Sequence, residues 1–550
     1  MNRIMQKYKF LSISTIFLSI MVLSCTKDLN TSPIDPVVLT TDKVFASDDA
    51  YIQLLSKCYG GLVLTGLGTD GGSGSPELAN GDEGVTSFLR VLWGAQEMTT
   101  DESANTWGDG DLDEYHKQKW SDANSYNFML YKRIYYNITV CNQYIKTVQP
   151  RLNGLNNELK TNVTNYLAEA RFLRAMYYYY AMDLWGNVPF VDEKDIIGSF
   201  FPKQIKRSDL FNYVESELKA VSHNLLAPST NAATYGRATK AAAWSVLAKM
   251  YLNSEIYLGA GNKKYSECIT YCDSITNAGV YTLHSVAKGT KFSPYLELFL
   301  GDNGNNCRDE IIFPITCDAI HTQNWGGTTF IIHAAIGGNI PASLMGTGGW
   351  GGNVTTSVFS NNFSDLTGKT DTRAMFFAPS LIGNNFLPKT TGFNDSYGIT
   401  KWRNLNADGT VSSTSDYMNN DFPLIRLADV YLMYAEAVLR GGAGGNTGTS
   451  LTYINKIRER AYGNTSGDVA SSDINLDFIL GERARELYWE ASRRTDLIRF
   501  GKFSNSTYVW DWKGNVISGA ATDSHLDLFP IPASDRSVNT NLVQNPGYGN

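Results

Sequence analysis

The chain has 550 residues, 43% of them hydrophobic and 18% charged, with a net charge of −7 at neutral pH. That balance describes a globular protein with a large core, and it argues against nucleic acid as a partner, which requires a basic face. Aromatic residues make up 12% of the chain, among them 31 Tyr and 11 Trp, an excess for which sugar faces are one candidate use.

Residues 1–24 read as a signal peptide. Arg3, Lys7 and Lys9 precede an apolar run from Phe10 to Leu23, and Ser24 supplies a small residue at the cut. The run is shorter than the roughly 20 residues a spanning helix needs. Cys25 follows directly, and Leu23-Ser24-Cys25 resembles the lipobox of bacterial lipoproteins, whose thiol takes a diacylglycerol. More than one acyl chain gives stable anchoring; the alternative is ordinary secretion with Cys25 incidental. Residues 25–36 form a polar tether, and Lys27-Asp28 looks like the surface-export signal of Bacteroidota lipoproteins. Residues 37–550 are expected to form a single domain.

Helical spacing begins at Val163 and recurs at Leu167, Ala170, Leu173, Tyr177, Ala181 and Leu184, one face of a helix that Gly186 stops. Val188-Pro189-Phe190 is then extended. A second helix carries Trp244, Leu247, Ala248 and Tyr251, and a third covers Tyr265 to Ala278. Later helices are expected over Leu424 to Ala435 and over Ile479 to Glu490. Paired amphipathic helices suggest a mostly α, tetratricopeptide-like scaffold, although no strict repeat of about 34 residues is visible. Two stretches, about 60–120 and 285–420, are rich in Gly, Asn, Ser and Thr and read as loop-rich insertions, where function usually lies.

Catalytic and metal motifs are missing from the sequence. The six His are scattered, without zinc spacing, and there is no HExxH, no G-x-S-x-G and no P-loop. No CxxC pair occurs, and Cys268 and Cys272, on one helix face, read as small buried hydrophobes. A glycosidase needs two carboxylates across a cleft; the acids at Asp82-Glu83, Asp101-Glu102 and Asp111 to Glu114 read as solvated faces. Glu482-Arg483-Ala484-Arg485-Glu486 reads as ion pairs along a helix. The positive signal lies in three tryptophans outside any apolar stripe: Trp107 in Asn105-Thr106-Trp107-Gly108-Asp109, Trp325 in Gln323-Asn324-Trp325-Gly326-Gly327, and Trp350 between paired glycines. Flanking glycine lets a ligand approach the backbone closely. Aromatic faces with a few polar neighbours suit sugar binding.

An ordered set of motifs resembles the SusD/RagB family of Bacteroidota outer-membrane lipoproteins, with its starch-binding type nearest. It includes Gly81-Asp82-Glu83-Gly84, Phe88-Leu89-Arg90, Thr100-Asp101-Glu102, Glu169-Ala170-Arg171-Phe172-Leu173-Arg174, Gly186-Asn187-Val188-Pro189, Asn324-Trp325-Gly326-Gly327, Arg493-Arg494-Thr495-Asp496, Trp510-Asp511-Trp512-Lys513-Gly514 and Gln544-Asn545-Pro546-Gly547-Tyr548. The resemblance implies tetratricopeptide-like helix pairs supporting a loop-rich half. It also implies a SusC-like TonB-dependent transporter as partner, and a cell-surface, outer-membrane location. In the family's starch binder the glucan lies on an arc of three aromatics, matched here by Trp107, Trp325 and Trp350, the middle one a Tyr there. Arg90 matches an Arg that bonds glucose hydroxyls, with Asp82 beside it. An Asn after the first aromatic has its counterpart near Gly110, between Asp109 and Asp111, so that contact is altered or lost, with Asp109 the candidate to take it over. The implied function is capture of starch or malto-oligosaccharides without catalysis and with no cofactor required. Family members can hold a structural calcium, and Asp302 is the candidate position, although the sequence assembles no full oxygen shell there. The alternatives are a binder of a different glycan and an anchored glycoside hydrolase.

Overall fold

A computed structural model of the chain describes residues 41–66, 74–78, 82–196, 198, 200–377, 393 and 397–549. Cys25, the signal peptide and the tether lie outside the described residues. The chain divides into two units, Met1–Gln53 and Leu54–Asn550. In the first, Thr41–Val44 is a single helical turn, and the Phe45 and Tyr51 rings pack 4.9 Å apart. Everything described below belongs to the second.

That unit is mostly helical, with ten helices relevant here: α1 (Phe88–Glu97), α2 (Ser125–Val148), α3 (Asn157–Trp185), α4 (Arg207–Ser222), α5 (Lys240–Leu252), α6 (Tyr265–Thr276), α7 (Gly327–Ala335), α8 (Leu427–Leu439), α9 (Thr447–Tyr462) and α10 (Leu476–Leu487). Asn156 starts α3 by accepting a hydrogen bond from the Leu159 N–H at 2.9 Å, and Gly186 ends it with a φ of 71°. Both are favourable capping chemistry. All seven residues expected on its apolar face are buried, and from Phe172 to Trp185 the helix is enclosed on every side. Its Tyr177 to Tyr180 run is therefore core, not ligand surface. Consecutive helices pack on one another from α2 through α6, and α6 in turn packs on α8, the stacked-pair arrangement the spacing suggested. No helix among the described residues is long and apolar enough to cross a membrane.

Three expectations change. Leu424 lies in a strand: Phe422–Arg426 pairs antiparallel with Ile311–Ile315, both fully buried, and α8 begins only at Leu427. A wholly buried strand has no alternating pattern to betray it. The region 285–420 thus contributes to the core as well as to loops, and it also contains α7. Finally, α10 stops at Leu487, because Trp489 and Ala491 have φ of 61° and 59°.

The charged residues of α10 pair only in part within the helix. Arg485 pairs with Glu482 within the helix, but Arg483 reaches Asp429 and Asp496, and Glu486 is met by Arg426, Arg460 and Arg373. Arg426 also binds Glu310 at 2.8 Å and Glu490 at 2.6 Å. Burial would raise the Glu486 carboxyl; Arg460, Arg426 and Arg373 outweigh it and hold it at about 2. Asp101 and Glu102, expected on a solvated face, are buried too, with Arg493 bonded to Asp101 at 2.8 Å. Buried ion pairs thus join α8, α9 and α10 to the strands and loops beside them.

Candidate functional site

The structure brings the three tryptophans together through two short pieces of backbone pairing. Ala104–Asn105 forms a two-residue ladder with Asn353–Val354, and the Thr106 N–H donates to the Gly352 carbonyl at 2.8 Å. This sets Trp107 against the glycine-rich loop carrying Trp350, whose carbonyl accepts from the Trp107 indole Nε1 at 3.3 Å. That loop rests on the C-terminal end of α7: Trp350, Gly351 and Gly352 donate their N–H groups to the carbonyls of His333, Ile336 and Ala334. Trp325 sits just before α7, so one short helix spaces two of the three rings.

The ring centroids of Trp325 and Trp350 are 6.0 Å apart with planes inclined by 58°. Tyr417 extends the row, 4.8 Å from Trp325 and inclined by 42°. Contacts run Trp107, Trp350, Trp325, Tyr417, and the ring planes turn at the last two steps instead of forming a flat shelf. Trp107 is 36% and Trp350 39% exposed. Two neighbouring indoles thus stand partly in solvent, each with an apolar body and a polar N–H.

Arg90 and Asp82 stand beneath this row. Arg90, in the first turn of α1, is buried, with its guanidinium 4.3 Å from the Phe330 ring centroid. It binds Asp82 Oδ2 at 3.0 Å and donates to the Trp325 carbonyl at 3.4 Å. Phe330 in turn packs edge-on against Trp107, at 6.0 Å. Arg90 therefore ties Trp325 to the surface on which Trp107 rests. Gly84 makes room for it, since a Cβ there would lie 2.4 Å from both the Arg90 Nη1 and the Trp325 oxygen. The Asp82 side chain is half exposed and presents a carboxylate edge. Asp109 caps the helix Gly110–His116, accepting from the Asp111 N–H at 3.0 Å, and also accepts from the Tyr126 hydroxyl at 3.2 Å. All three thus have partners inside the protein, Asp82 also accepting from the Gly84 N–H at 2.9 Å, but the Asp82 side chain is half exposed.

Sequence reasoning missed two members of this assembly. Tyr417 lies in a polar loop with nothing in its neighbours to single it out. His333, one of the six scattered histidines, is stacked on Trp350 with centroids 4.7 Å apart and planes within 17°. Only a fold that returns the 346–352 loop to α7 makes that pairing visible.

Asp302 lies elsewhere. Its carboxylate accepts from the Ala407 N–H at 3.1 Å and from Asn306 Nδ2 at 2.8 Å. Oxygens already facing N–H donors are poor calcium ligands, and no group of three or more His, Cys, Asp or Glu among the described residues could hold a metal. The surroundings of Asp302 do not fit a calcium shell.

Comparison with known proteins accords with this architecture. Residues 383–548 match the model of the SusD family, and residues 92–252 match a model described as starch-binding associating with outer membrane. The chain is 31% identical over 573 aligned residues to the starch-binding protein SusD of Bacteroides thetaiotaomicron, covering 96% of each chain. Among solved structures, a SusD homolog from the same species superposes with a TM-score of 0.70 at 19% identity, covering 91% of this chain and 97% of that one. Surface glycan-binding protein A of that species, in complex with laminarihexaose, gives 0.67 at 21% identity, covering 90% and 99%.

Proposed function

We propose, for a chain that belongs to the SusD family, that the row Trp107, Trp350, Trp325 and Tyr417 is the seat of a glycan and that the glycan is starch or a malto-oligosaccharide. The observation that carries this reading is the contiguity of the exposed indoles: residues 243 positions apart in sequence meet through one indole hydrogen bond. Aromatic faces stack on the C–H faces of sugar rings, and faces that turn along the row suit a helical α-glucan better than a flat, extended chain. The Asp82 carboxylate is the acceptor offered to sugar hydroxyls, with Asp109 at the edge, while Arg90 braces the platform from below. The starch-binding relative supports the substrate class; the laminarihexaose complex of a structural neighbour favours one specific second reading, a β-glucan.

The role is binding without bond cleavage. The acid pair with the spacing to attract attention, Asp101-Glu102, is buried and engaged by Arg493. The protein is tethered through lipidated Cys25 to the outer membrane, faces the cell surface, and passes its glycan to a SusC-like TonB-dependent transporter. Residues 37–550 act as one domain in this reading. Weak contacts of about 1 kcal/mol per ring, repeated along a polymer, suit capture followed by release.

Affinity electrophoresis in gels containing amylopectin, laminarin or levan tests the substrate. Retardation in amylopectin is expected, and retardation confined to another gel overturns the starch assignment. Trp107→Ala and Trp350→Ala should each weaken binding about fivefold; unchanged retardation in both moves the site elsewhere. Incubation of pure protein with malto-oligosaccharides should release neither glucose nor maltose.

A further inference from the structure

We infer that His333 is a positioning residue of the glycan platform, fixing the plane of Trp350 before any sugar arrives; this rests on the glycan-binding reading above. An indole that stacks on a ligand with one face needs something rigid behind the other. Otherwise binding must also freeze the indole, and affinity is lost to ordering. His333 is the group behind Trp350: its ring lies parallel to the indole within 17° at 4.7 Å, and it is 4% exposed.

The imidazole is itself immobilised from two directions. Its Nδ1 lies 2.8 Å from the Gly348 carbonyl, two residues before Trp350, and its Nε2 lies 3.1 Å from the Asp416 carbonyl, one residue before Tyr417. The His333 main chain contributes as well, its carbonyl accepting the Trp350 N–H at 2.8 Å. The same two loops meet once more where the Thr347 hydroxyl donates to the Ser415 carbonyl at 2.8 Å. One side chain on α7 therefore backs an indole and lies between the two loops that carry Trp350 and Tyr417, its ring N–H donating to the Gly348 or the Asp416 carbonyl according to the tautomer. A histidine suits this position better than a purely apolar ring, because its N–H serves a carbonyl that an apolar ring would leave without a donor.

The test combines a glycan-free measurement with a binding cycle. In protein labelled with 5-fluorotryptophan, the Trp350 fluorine resonance is identified by its loss in Trp350→Phe. Without any sugar, His333→Ala should shift and broaden that resonance; an unchanged line overturns the inference. Maltoheptaose titration should show binding weakened roughly two- to tenfold by His333→Ala, with no further loss when the change is made in Trp350→Ala. An equal loss in both backgrounds would mean that His333 acts through general stability, which overturns the positioning role. Should His333→Ala fail to fold, His333→Gln keeps an amide donor for one carbonyl while removing the flat ring, and the same outcomes apply. If the wild-type protein binds no glycan at all, the functional reading fails, and the fluorine resonance still decides what His333 does to Trp350.

Discussion

At the scale of single residues, the platform depends on side chains that are absent as much as on those present. A Cβ on Gly352 would lie 2.4 Å from the Trp107 Cε2 atom, closer than any real contact. Gly352→Ala therefore displaces an indole that is one-third exposed and free to swing outward. Amylopectin retardation should fall to about that of Trp107→Ala, while the thermal midpoint changes little, the stability cost staying near 1 kcal/mol or less. Parallel native gels and thermal melts check this. Trp107, Trp325 and Trp350 were legible in the sequence because glycine and polar neighbours set them apart from any helical stripe. Tyr417 and His333 were not, since their importance comes from what folds against them.

At the scale of elements, α1 has a different chemistry at each end. Its first turn carries Arg90, while its last residue, Glu97, is completely buried, and that burial raises its carboxyl to about 7. The folded state thus holds a proton that the unfolded chain loses near pH 4.5. The resulting stability is fully present below about pH 4.5 and is lost as pH rises through about 7. Glu97→Gln should flatten this decline, measured as the urea midpoint across that pH range; a slope identical to wild type would assign the decline to other groups. The α10 network predicts an opposite kind of sensitivity. Arg426→Met leaves Glu310, Glu486 and Glu490 buried without their shared guanidinium, and should cost about 3–5 kcal/mol in chemical denaturation. From sequence, Glu482 to Glu486 read as ion pairs within one helix; the Arg485–Glu482 pair forms, but Arg483 and Glu486 find their partners on other elements. Helical spacing reports which residues share a face, but not whether another helix covers that face.

At the scale of the whole molecule, the proposed tether and the platform are separable. Cys25→Ser should move the protein from the membrane fraction to the soluble fraction while amylopectin retardation persists, as immunoblots of fractionated cells and native gels will register. Loss of glycan binding together with the anchor would contradict that separation. The helix pairs provide the rigid support: α7 sits against α1, which packs on α2, so the rings rest on a core that continues into the stacked helices. A weak, repetitive ligand requires this rigidity, because each contact is worth little more than the cost of ordering a loose side chain.

Much of the scaffold was determined by the sequence itself. The apolar spacing of α3, its Gly186 end and the motif order led to a mostly helical, paired architecture, since burial of an apolar face needs only local periodicity to declare itself. The glycine-bounded tryptophans were likewise readable, because a large apolar side chain without apolar neighbours has no core to join. Tertiary structure alone decided the rest: the buried strand pair Ile311–Ile315 and Phe422–Arg426, the interior placement of Asp101, Glu102 and the α10 charges, the inward engagement of Arg90 and Asp109, and the backing of Trp350 by His333. Each depends on contacts between residues far apart in the chain, and no local pattern records which distant face will arrive to cover a charge or support a ring.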